Sequence, residues 1–368
     1  MQDKKLALFF TTDMSLKIWN DIGNLEREVK PYNLLAKHFE KIYFITYGNE
    51  NELRFKEKLE KNIDVLPKKL PLSSKIYQFL IPLIFWKKLK EIDIYKTNQM
   101  GASIPAILSK WLYQKELVVR CGYEWLNFLE KQKSPLWKRI IVYLIEKIAY
   151  KNANKIILSS KKDKNYVENK FKITSQKIQI IPNSIDIDLF RSLGIHKEKK
   201  RICFVGRLTE QKNVYNLIKA ITGSNIKLVI FGNGPMKSNL EKLAMKLNSK
   251  VEFRGNIPNN QLPEELNKSE LFILPSIYEG NPKALLEAMA CGLPCIATNI
   301  EAIREIIYHK KNGYLCETSS KSIMMAIKRV LDDKSLREKI SKNAIRTIHE
   351  NFSLDEILKK ELRIYKAL

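Results

Sequence analysis

Short apolar runs rich in valine, isoleucine and phenylalanine recur along the whole chain, and longer segments with helical spacing separate them. The first half contains seven such runs: KLALFFTT, KIYFIT, IDVLP, DIYKTN, ELVVRC, KIILSS and KIQIIPN. The second half contains six: RICFVG, KLVIFG, VEFRG, LFILPS, PCIATN and GYLCE. Strands that alternate with helices are typical of βαβ units. The pattern therefore predicts an α/β protein built on parallel sheets.

The two series of runs are separated by IDLFRSLGIHKEKKR (187–201), which turns from a loop into a cluster of charges. The 368 residues are enough for two domains. We predict a Rossmann-like, doubly wound domain over 1–190, a second one over 199–350, and a terminal helix over 351–368 that packs back on the first domain. Such sheets bind ligands at the carboxyl ends of their strands, so we expect the ligand in a central cleft that the two domains face.

The net charge of +25 is high, and part of it is concentrated between Arg54 and Lys90, with ten basic residues against three acidic ones. This stretch surrounds the most apolar segment, Ile76–Trp86. Basic and bulky apolar residues interleaved in this way suit the boundary between water and lipid, so we expect 54–90 to contact an anionic membrane surface. An amphipathic core helix with a lysine-rich solvated face explains the same pattern equally well.

Other features narrow the class of protein. The apolar segment of 11 residues is shorter than the roughly 20 needed to span a bilayer, and no signal peptide is evident. We expect a cytoplasmic protein, peripheral at the inner face of the membrane. The basic residues show neither an RNA-binding signature nor a recognition helix, so no nucleic acid is expected as a partner. A basic nucleic-acid-binding protein is kept as the alternative from another class. The five scattered cysteines are interpreted as small buried hydrophobes.

The segment YEGNPKALLEAMACG puts two glutamates around the entrance to a predicted helix. Glu279 falls in the strand-to-helix loop, Pro282 fits the first helical turn, and Glu287 follows about a turn and a half into the helix. The unpaired N–H groups near Lys283 to Leu285 offer an anion site. A sugar, a diphosphate and a ribose would fit that order of groups. A solvated loop glutamate and a surface helix glutamate explain the spacing equally well.

A second motif, FVGRLTEQKN, puts Gly206 and Arg207 at the end of a strand and Lys212 at the entrance to the next helix. Arginine can fork onto diphosphate oxygens and lysine adds a point charge, so both cations suit a diphosphate. The turn FGNGP that follows the next strand is weak evidence by itself.

Together these residues resemble the donor-binding domain of glycosyltransferase family 4. Its members are retaining, nucleotide-sugar-dependent enzymes with two Rossmann-like domains, the GT-B fold. The resemblance runs from FVGRL through FGNGP, VEFRGNIP and LFILPSIYEGNPKALLEAMACGLPCIATN to NGYLC, over about 120 residues. The first half resembles the family more loosely, through GNLEREVKPYNLLAKHF and RCGYEW.

The resemblance implies roles for individual residues. Arg207, Lys212 and Glu279 would be catalytic, the two cations at the donor's diphosphate and Glu279 at hydroxyls of the transferred sugar. Glu287 would hold the ribose hydroxyls. Further donor contacts are implied for Gly206, Gly280, Asn281, Pro282, Lys283, Ala284, Gly255, Asn256, Ile257, Gly23 and Asn24. Many members carry a histidine after the strand that corresponds to ELVVRC. Here that place holds no histidine, and Arg120 and Tyr123 become candidates on the sugar or acceptor side.

The implied activity is the transfer of a hexose-type sugar, with retention, from a UDP- or GDP-linked donor. The expected acceptor is a membrane-associated glycan: a lipid-linked, capsular or lipopolysaccharide intermediate. No cofactor and no metal are expected; Asp186 and Asp188 form a D-x-D at the domain boundary, and the four histidines are dispersed. A nucleotide-sugar epimerase of the same fold is the alternative enzyme, and a non-catalytic membrane-docked scaffold is a further one.

Overall fold

Two parallel sheets organise the chain in the computed structural model, which describes residues 2–368. The first sheet consists of β1 (Lys5–Phe9), β2 (Lys41–Ile45), β3 (Ile63–Leu66), β4 (Ile94–Thr97), β5 (Glu116–Cys121), β6 (Lys155–Leu158) and β7 (Ile178–Ile180). The second consists of β8 (Arg201–Val205), β9 (Lys227–Phe231), β10 (Val251–Gly255), β11 (Leu271–Leu274), β12 (Cys295–Thr298) and β13 (Tyr314–Cys316). Each strand lies within one of the apolar runs, so the predicted α/β class with two parallel sheets is confirmed.

Helices connect the strands. Those of the first half are α1 (Leu16–Asp21), α2 (Leu25–Ala36), α3 (Ser74–Ile84), α4 (Trp86–Glu91), α5 (Ser103–Tyr113), α6 (Trp125–Lys131), α7 (Leu136–Asn152) and α8 (Lys161–Phe171). Those of the second half are α9 (Val214–Ile221), α10 (Lys237–Lys246), α11 (Leu262–Asn267), α12 (Lys283–Ala290), α13 (Glu301–Arg304), α14 (Ser320–Asp332), α15 (Lys334–Asn351) and α16 (Leu354–Lys366). Short 3₁₀ helices cover Glu50–Lys58, Met100–Ala102, Ser175–Lys177 and Glu210–Lys212.

Both sheets are doubly wound. Their strand orders are β3-β2-β1-β4-β5-β6-β7 and β10-β9-β8-β11-β12-β13. In each sheet the chain starts at an inner strand, winds to one edge and then continues on the other side of the starting strand. The direction therefore reverses between β1 and β4 and between β8 and β11, and sheets of this kind bind ligands beyond the strand ends at such a point. Most strand residues are buried, as expected where helices cover both faces of a parallel sheet.

The chain divides into two compact units, and the division differs from the predicted domain limits. The first unit runs to Pro182 and includes Leu358–Leu368, and the second unit is Asn183–Ile357. The limit lies before residue 190 because Ile185 and Phe190 pack into the hydrophobic core of the second unit. The charged stretch after them is an exposed loop of that unit.

The end of the C-terminal helix α16 packs on the first unit. Glu361 forms an ion pair with Lys96 of β4, whose side chain is almost completely buried. Tyr365 packs edge to face against Phe39, with the ring centroids 5.4 Å apart. These contacts agree with the predicted packing of a terminal helix on the first domain.

Two further expectations concern the cysteines and membrane-spanning helices. All five cysteines are buried with free thiols, which confirms their interpretation as small core residues. Within residues 2–368, no helix combines the length and the apolar character that crossing a membrane requires.

Candidate active site

The loop between β11 and α12 carries the first glutamate of the central motif, and α12 carries the second. Glu279 is 8% exposed and Glu287 is 3% exposed. The alternatives of a solvated loop residue and a surface helix residue are therefore wrong. Pro282 lies one residue earlier than predicted, as the extended N-cap before α12. A buried carboxylate is costly unless it is paired or hydrogen-bonded, so both glutamates call for a partner or a ligand.

Glu279 has such a partner in Lys212. The lysine Nζ lies 2.5 Å from Glu279 Oε1, and the two side chains are only 17% and 7% exposed. These residues are 67 positions apart in the sequence, and the fold joins them in the loops after β8 and β11. The result is a cation and an anion held together at the carboxyl edge of the second sheet.

Backbone contacts that the sequence analysis missed fix this pair. The Ile277 N–H donates to the Gln211 carbonyl (2.8 Å), and Gln211 Nε2 donates to the Tyr278 carbonyl (2.8 Å). The buried Asn213 donates from Nδ2 to the Pro275 carbonyl (3.0 Å). Asn213 has a left-handed backbone (φ 53°), which asparagine tolerates better than most residues. An asparagine just before an apolar helix is the one signal that could have predicted this connection.

The glycines of FGNGP have a steric role that the motif alone did not reveal. A Cβ at Gly232 would lie 2.0 Å from the Gly206 carbonyl oxygen, and one at Gly234 would lie 2.3 Å from the Leu208 carbonyl oxygen. Only glycine allows the loops after β8 and β9 to approach this closely. The same packing puts the Lys212 side chain beside Gly206, with Cε 3.7 Å from the position of an added Cβ.

The row of strand ends continues to β10. The Gly232 N–H donates to the Gly255 carbonyl (2.7 Å), and Gly255 has a left-handed backbone (φ 67°). Asn256 is exposed, whereas Ile257 is partly buried against the hydrophobic core. Gly206, Gly255 and Ile257 therefore lie along one edge of the second sheet.

The loop before α12 is also held from the other side. The Asn183 N–H donates to Asn281 Oδ1 (3.0 Å), and Asn183 Nδ2 donates to the Asn281 carbonyl (2.7 Å). Asn183 is the first residue of the second unit. Its two bonds orient the backbone next to Gly280, a contact for which the sequence offers no periodic signal.

Ser276 opens the same loop and is fully buried. Its carbonyl accepts a hydrogen bond from Thr298 Oγ1 at 2.5 Å. Its hydroxyl, by contrast, has no hydrogen-bond partner among residues 2–368. Buried hydroxyls without partners are rare, so the loop contains an unused donor and acceptor.

Comparison with known proteins decides the family. The family model described as Glycosyl transferases group 1 matches residues 186–347. The model described as Glycosyltransferase Family 4 matches residues 34–189. The two matches overlap at residues 186–189 and leave only the ends of the chain outside. The chain belongs to the group 1 glycosyltransferases.

Individual relatives agree with this assignment. An uncharacterised glycosyltransferase of Methanocaldococcus jannaschii is 33% identical over 61% of this chain and 63% of its own length. The UDP-Gal:alpha-D-GlcNAc-diphosphoundecaprenol alpha-1,3-galactosyltransferase of Escherichia coli is 28% identical over 78% of each chain. The crystal structure of Anabaena HepE in complex with UDP superposes with a TM-score of 0.78 at 16% identity. That superposition covers 99% of this chain and 100% of HepE, and it supports the GT-B fold.

The remaining donor candidates of this glycosyltransferase lie after β8 and around the start of α12. Arg207 is exposed directly after Gly206, and Ala284 is partly buried against the core. The predicted set of unpaired N–H groups is smaller than expected, because the Leu285 N–H donates to the Pro282 carbonyl (3.2 Å).

Burial, and then the charge of Glu287, raise the pKa of the Cys291 thiol to about 12, so this cysteine is unreactive.

The candidates of the first unit have local structural explanations. Gly23 has a left-handed backbone (φ 73°) between α1 and α2, and Asn24 precedes α2 as its N-cap. Burial opposes ionisation of Glu361, but the charge of Lys96, and then that of Arg120 on β5, lower the pKa of that carboxyl below its ordinary value. Tyr123 is 47% exposed and packs edge to face on Phe128 at 5.1 Å.

Two glutamates are buried near the segment after β5, where the family resemblance implies a histidine in many members. Glu124 follows Tyr123 and accepts a hydrogen bond from the Tyr150 hydroxyl (2.9 Å). Glu146 of α7 accepts from the Leu126 N–H (3.2 Å). Burial raises the pKa of Glu146 to about 7, and burial together with Glu146 raises the pKa of Glu124. The sequence analysis missed both, because neither the loop residue Glu124 nor Glu146 in the apolar helix α7 carries a sequence signal for its burial.

The D-x-D sequence forms a local turn. The Asp188 N–H donates to Asp186 Oδ1 (3.3 Å), and the Phe190 N–H donates to the Asp186 carbonyl (2.8 Å). Across the described part of the chain, histidine, cysteine and acidic side chains form no group of three that could hold a metal ion.

Proposed function

We propose that this chain is a retaining glycosyltransferase that moves a hexose-type sugar from a UDP- or GDP-linked donor to a membrane-associated glycan. The observation that carries the proposal is the Lys212–Glu279 ion pair, buried beside Gly206 at the carboxyl edge of the second sheet. A cation for phosphate and a carboxylate for sugar hydroxyls lie within one hydrogen bond of each other. That pairing suits the junction of a sugar and a diphosphate.

In this proposal Arg207 and Lys212 bind the diphosphate, and Glu279 accepts hydrogen bonds from hydroxyls of the transferred sugar. Glu287, whose side chain is buried in α12, binds the ribose hydroxyls, as the family resemblance implies. The backbone from Gly280 to Ala284, with Asn281, Pro282 and Lys283, lies along the phosphates. The strand end at Gly255, Asn256 and Ile257 meets the base. Gly23 and Asn24 are proposed donor contacts from the first unit, and Arg120 and Tyr123 are proposed on the sugar or acceptor side.

The proposed chemistry is a substitution at the anomeric carbon that needs no metal. The bond between this carbon and the diphosphate oxygen breaks, and its electron pair goes to the diphosphate. Arg207, Lys212 and the first turn of α12 stabilise that charge as it develops. The acceptor hydroxyl oxygen bonds to the same face of the carbon, and its proton goes to the departing phosphate.

The choice of acceptor rests on a relative. The Escherichia coli galactosyltransferase is named for a diphosphoundecaprenol acceptor, which supports a lipid-linked glycan for this chain. The HepE structure contains UDP, which supports a nucleoside diphosphate as part of the donor of this chain as well. Capsular and lipopolysaccharide intermediates share the same chemistry, a sugar hydroxyl presented at a membrane.

Donor binding is the direct test. The purified chain is titrated with UDP- and GDP-linked sugars, with and without a chelator, and the shift in melting temperature is measured. We expect one donor to stabilise the protein in both conditions, and Glu287→Ala to abolish the shift. The matched control is Glu338→Ala, an exposed glutamate of α15 that should change nothing. If no donor binds, or if Glu287→Ala binds donor normally, the proposal is wrong.

The reaction products separate the transferase from its alternatives. With donor and a lipid-diphosphate glycan, we expect a glycosidic product whose anomeric configuration, read by NMR, equals that of the donor. An epimerase would release free nucleoside diphosphate at full rate without any acceptor. A chelator that stops transfer would refute the metal-independent mechanism.

A further inference from the structure

Helix α7 is apolar on the side that faces solvent. Its large exposed side chains are Leu136, Trp137, Ile140, Ile141, Leu144 and Ile148, each between 41% and 67% exposed. At 3.6 residues per turn these six lie on one side of the helix. Val142, Glu146 and Ala149 lie on the opposite side and are buried. An ordinary surface helix shows polar residues outward, so this arrangement is inverted and calls for a partner.

Two neighbouring elements extend the same surface. The segment of α3 and α4 exposes Ile76, Phe79, Leu83 and Trp86, and α5 exposes Trp111 and Leu112. The three exposed tryptophans of the described residues, Trp86, Trp111 and Trp137, all lie on this surface. We call the exposed side of α3–α4, α5 and α7 the apolar face.

The apolar face is continuous because the three elements are adjacent. The connections β3–β4, β4–β5 and β5–β6 all run in the same direction across the first sheet. Right-handed crossovers put such connections on one side of the sheet. Hydrogen bonds join them: the Tyr113 hydroxyl donates to the Pro82 carbonyl (2.8 Å), and Trp111 Nε1 donates to Asn152 Oδ1 (2.8 Å).

Basic residues accompany the exposed tryptophans. Lys87 and Lys90 lie over the ring of Trp86, with Nζ 5.6 and 5.1 Å from its centroid. Lys138 lies over the ring of Trp137 at 5.3 Å. Helix α7 carries Lys138, Arg139, Lys147 and Lys151, and its single acidic residue, Glu146, is buried. The face therefore presents apolar groups and positive charge together, with no exposed negative charge on α7.

We propose that the apolar face docks on the surface of an anionic lipid bilayer, with the α7 side chains among the headgroups and the upper acyl chains. Tryptophan and lysine are the residues that the boundary between water and lipid favours. A second copy of the chain would bring the same lysines together, which opposes self-association through this face. The inference deepens the proposed function, on which it rests for the reason to be at a membrane: the acceptor is lipid-linked there.

Vesicle flotation tests the docking without donor or acceptor. The full chain is mixed with vesicles of phosphatidylcholine alone or with added phosphatidylglycerol, and the bound fraction is measured. We expect binding to the anionic vesicles only, weakened by salt. The triple variant Trp137→Ser/Ile140→Ser/Leu144→Ser should bind the anionic vesicles at least about tenfold more weakly than the wild type, since each substitution removes apolar area that the lipid would bury. The control triple Tyr215→Ser/Met245→Ser/Met325→Ser removes exposed side chains of the second unit and should bind like the wild type.

A variant with fewer positive charges tests the docking independently if the apolar triple variant does not fold. Lys138→Gln/Lys147→Gln/Lys151→Gln should weaken binding at low salt and flatten its salt dependence. The proposal is overturned if the wild type does not bind anionic vesicles, or if the apolar triple and the charge triple both bind them as strongly as the wild type. It is equally overturned if light scattering shows a dimer that the apolar triple converts to a monomer, which would make the face a protein interface. Because no substrate is present, a chain that fails the donor test can still dock, and a chain that binds donor can still fail to dock.

Discussion

The ion pair between Lys96 and Glu361 offers a quantitative test of how α16 is anchored. The two side chains are 2% and 11% exposed. Glu361 Oε1 also accepts a hydrogen bond from the Tyr365 hydroxyl at 2.5 Å. Lys96 Nζ lies 4.9 Å from the centroid of the Tyr32 ring. The perturbation is Glu361→Gln, which keeps the size and one acceptor oxygen but removes the negative charge.

The expected cost comes from the lysine that is left behind. Removing one partner of a buried ion pair typically costs about 3–5 kcal/mol, because the other charge stays buried without compensation. The glutamine oxygen can still accept from Lys96 Nζ, so we expect about 3 kcal/mol, the lower end of that range. The double variant Lys96→Met/Glu361→Gln leaves no buried charge at this place. It should therefore be more stable than Glu361→Gln alone, by about 2 kcal/mol.

Tryptophan fluorescence during urea unfolding measures this free energy selectively. All five tryptophans, Trp19, Trp86, Trp111, Trp125 and Trp137, belong to the first unit, so their signal follows the unit that contains the pair. Fluorescence therefore separates its transition from that of the second unit, which need not unfold at the same urea concentration. The exposed pair Lys334–Glu338 is the matched control, and Glu338→Gln should change the free energy of unfolding by well under about 1 kcal/mol.

The pH dependence adds a second check with a definite sign. Burial lowers the pKa of Lys96, and Glu361 opposes that effect. Without Glu361 the folded state holds the lysine proton less tightly than the unfolded state does. Stability then rises with pH up to the ordinary lysine pKa, so the cost of Glu361→Gln should shrink between about pH 7 and pH 9.5. Additive effects in the double variant, or a cost that does not change with pH, would refute the buried-charge argument.

Three further outcomes follow from the structure. Lys212→Met should weaken the binding of UDP or GDP by about tenfold or more, measured by isothermal titration. Glu279→Gln should bind these sugar-free nucleotides equally well or more tightly, because Glu279 no longer competes for Lys212, while the rate of sugar transfer falls. Weaker nucleotide binding by Glu279→Gln would contradict this reasoning. Gly232→Ala should lower the melting temperature of the second unit, since the new Cβ would lie 2.0 Å from the Gly206 carbonyl oxygen, and an unchanged melting curve would count against the close approach. Burial raises the pKa of Glu146 to about 7, so this group favours the folded state only while protonated, and the first unit should lose stability as pH rises from about 4.5 through 7. In urea titrations at about pH 5 and pH 8, Glu146→Gln should reduce this loss of stability. An unchanged loss in the variant would assign the pH dependence to another group.

Much of the site was predictable because its residues follow strand ends. Gly206, Lys212 and Glu279 all lie in loops that follow an apolar run, and the carboxyl ends of parallel strands meet at one edge. The pairing of Lys212 with Glu279 was not predictable, because it depends on Gln211 and Asn213, whose bonds go to backbone groups of a distant loop. The burial of Glu287 was equally hidden, since a glutamate on a helix is usually solvated.

The sequence by itself determined the class of fold, the strands and the family. Those depend on local periodicity and on short motifs whose residues lie close together in the chain. Only the tertiary structure decided that Asn183 and Ile185 belong to the second unit, and that the apolar side of α7 faces solvent. Periodicity shows that a helix has an apolar stripe, but it cannot tell whether that stripe meets the sheet or points away from it. That choice is made by packing between distant segments, which is why the apolar face emerged only when α3–α4, α5 and α7 were seen side by side.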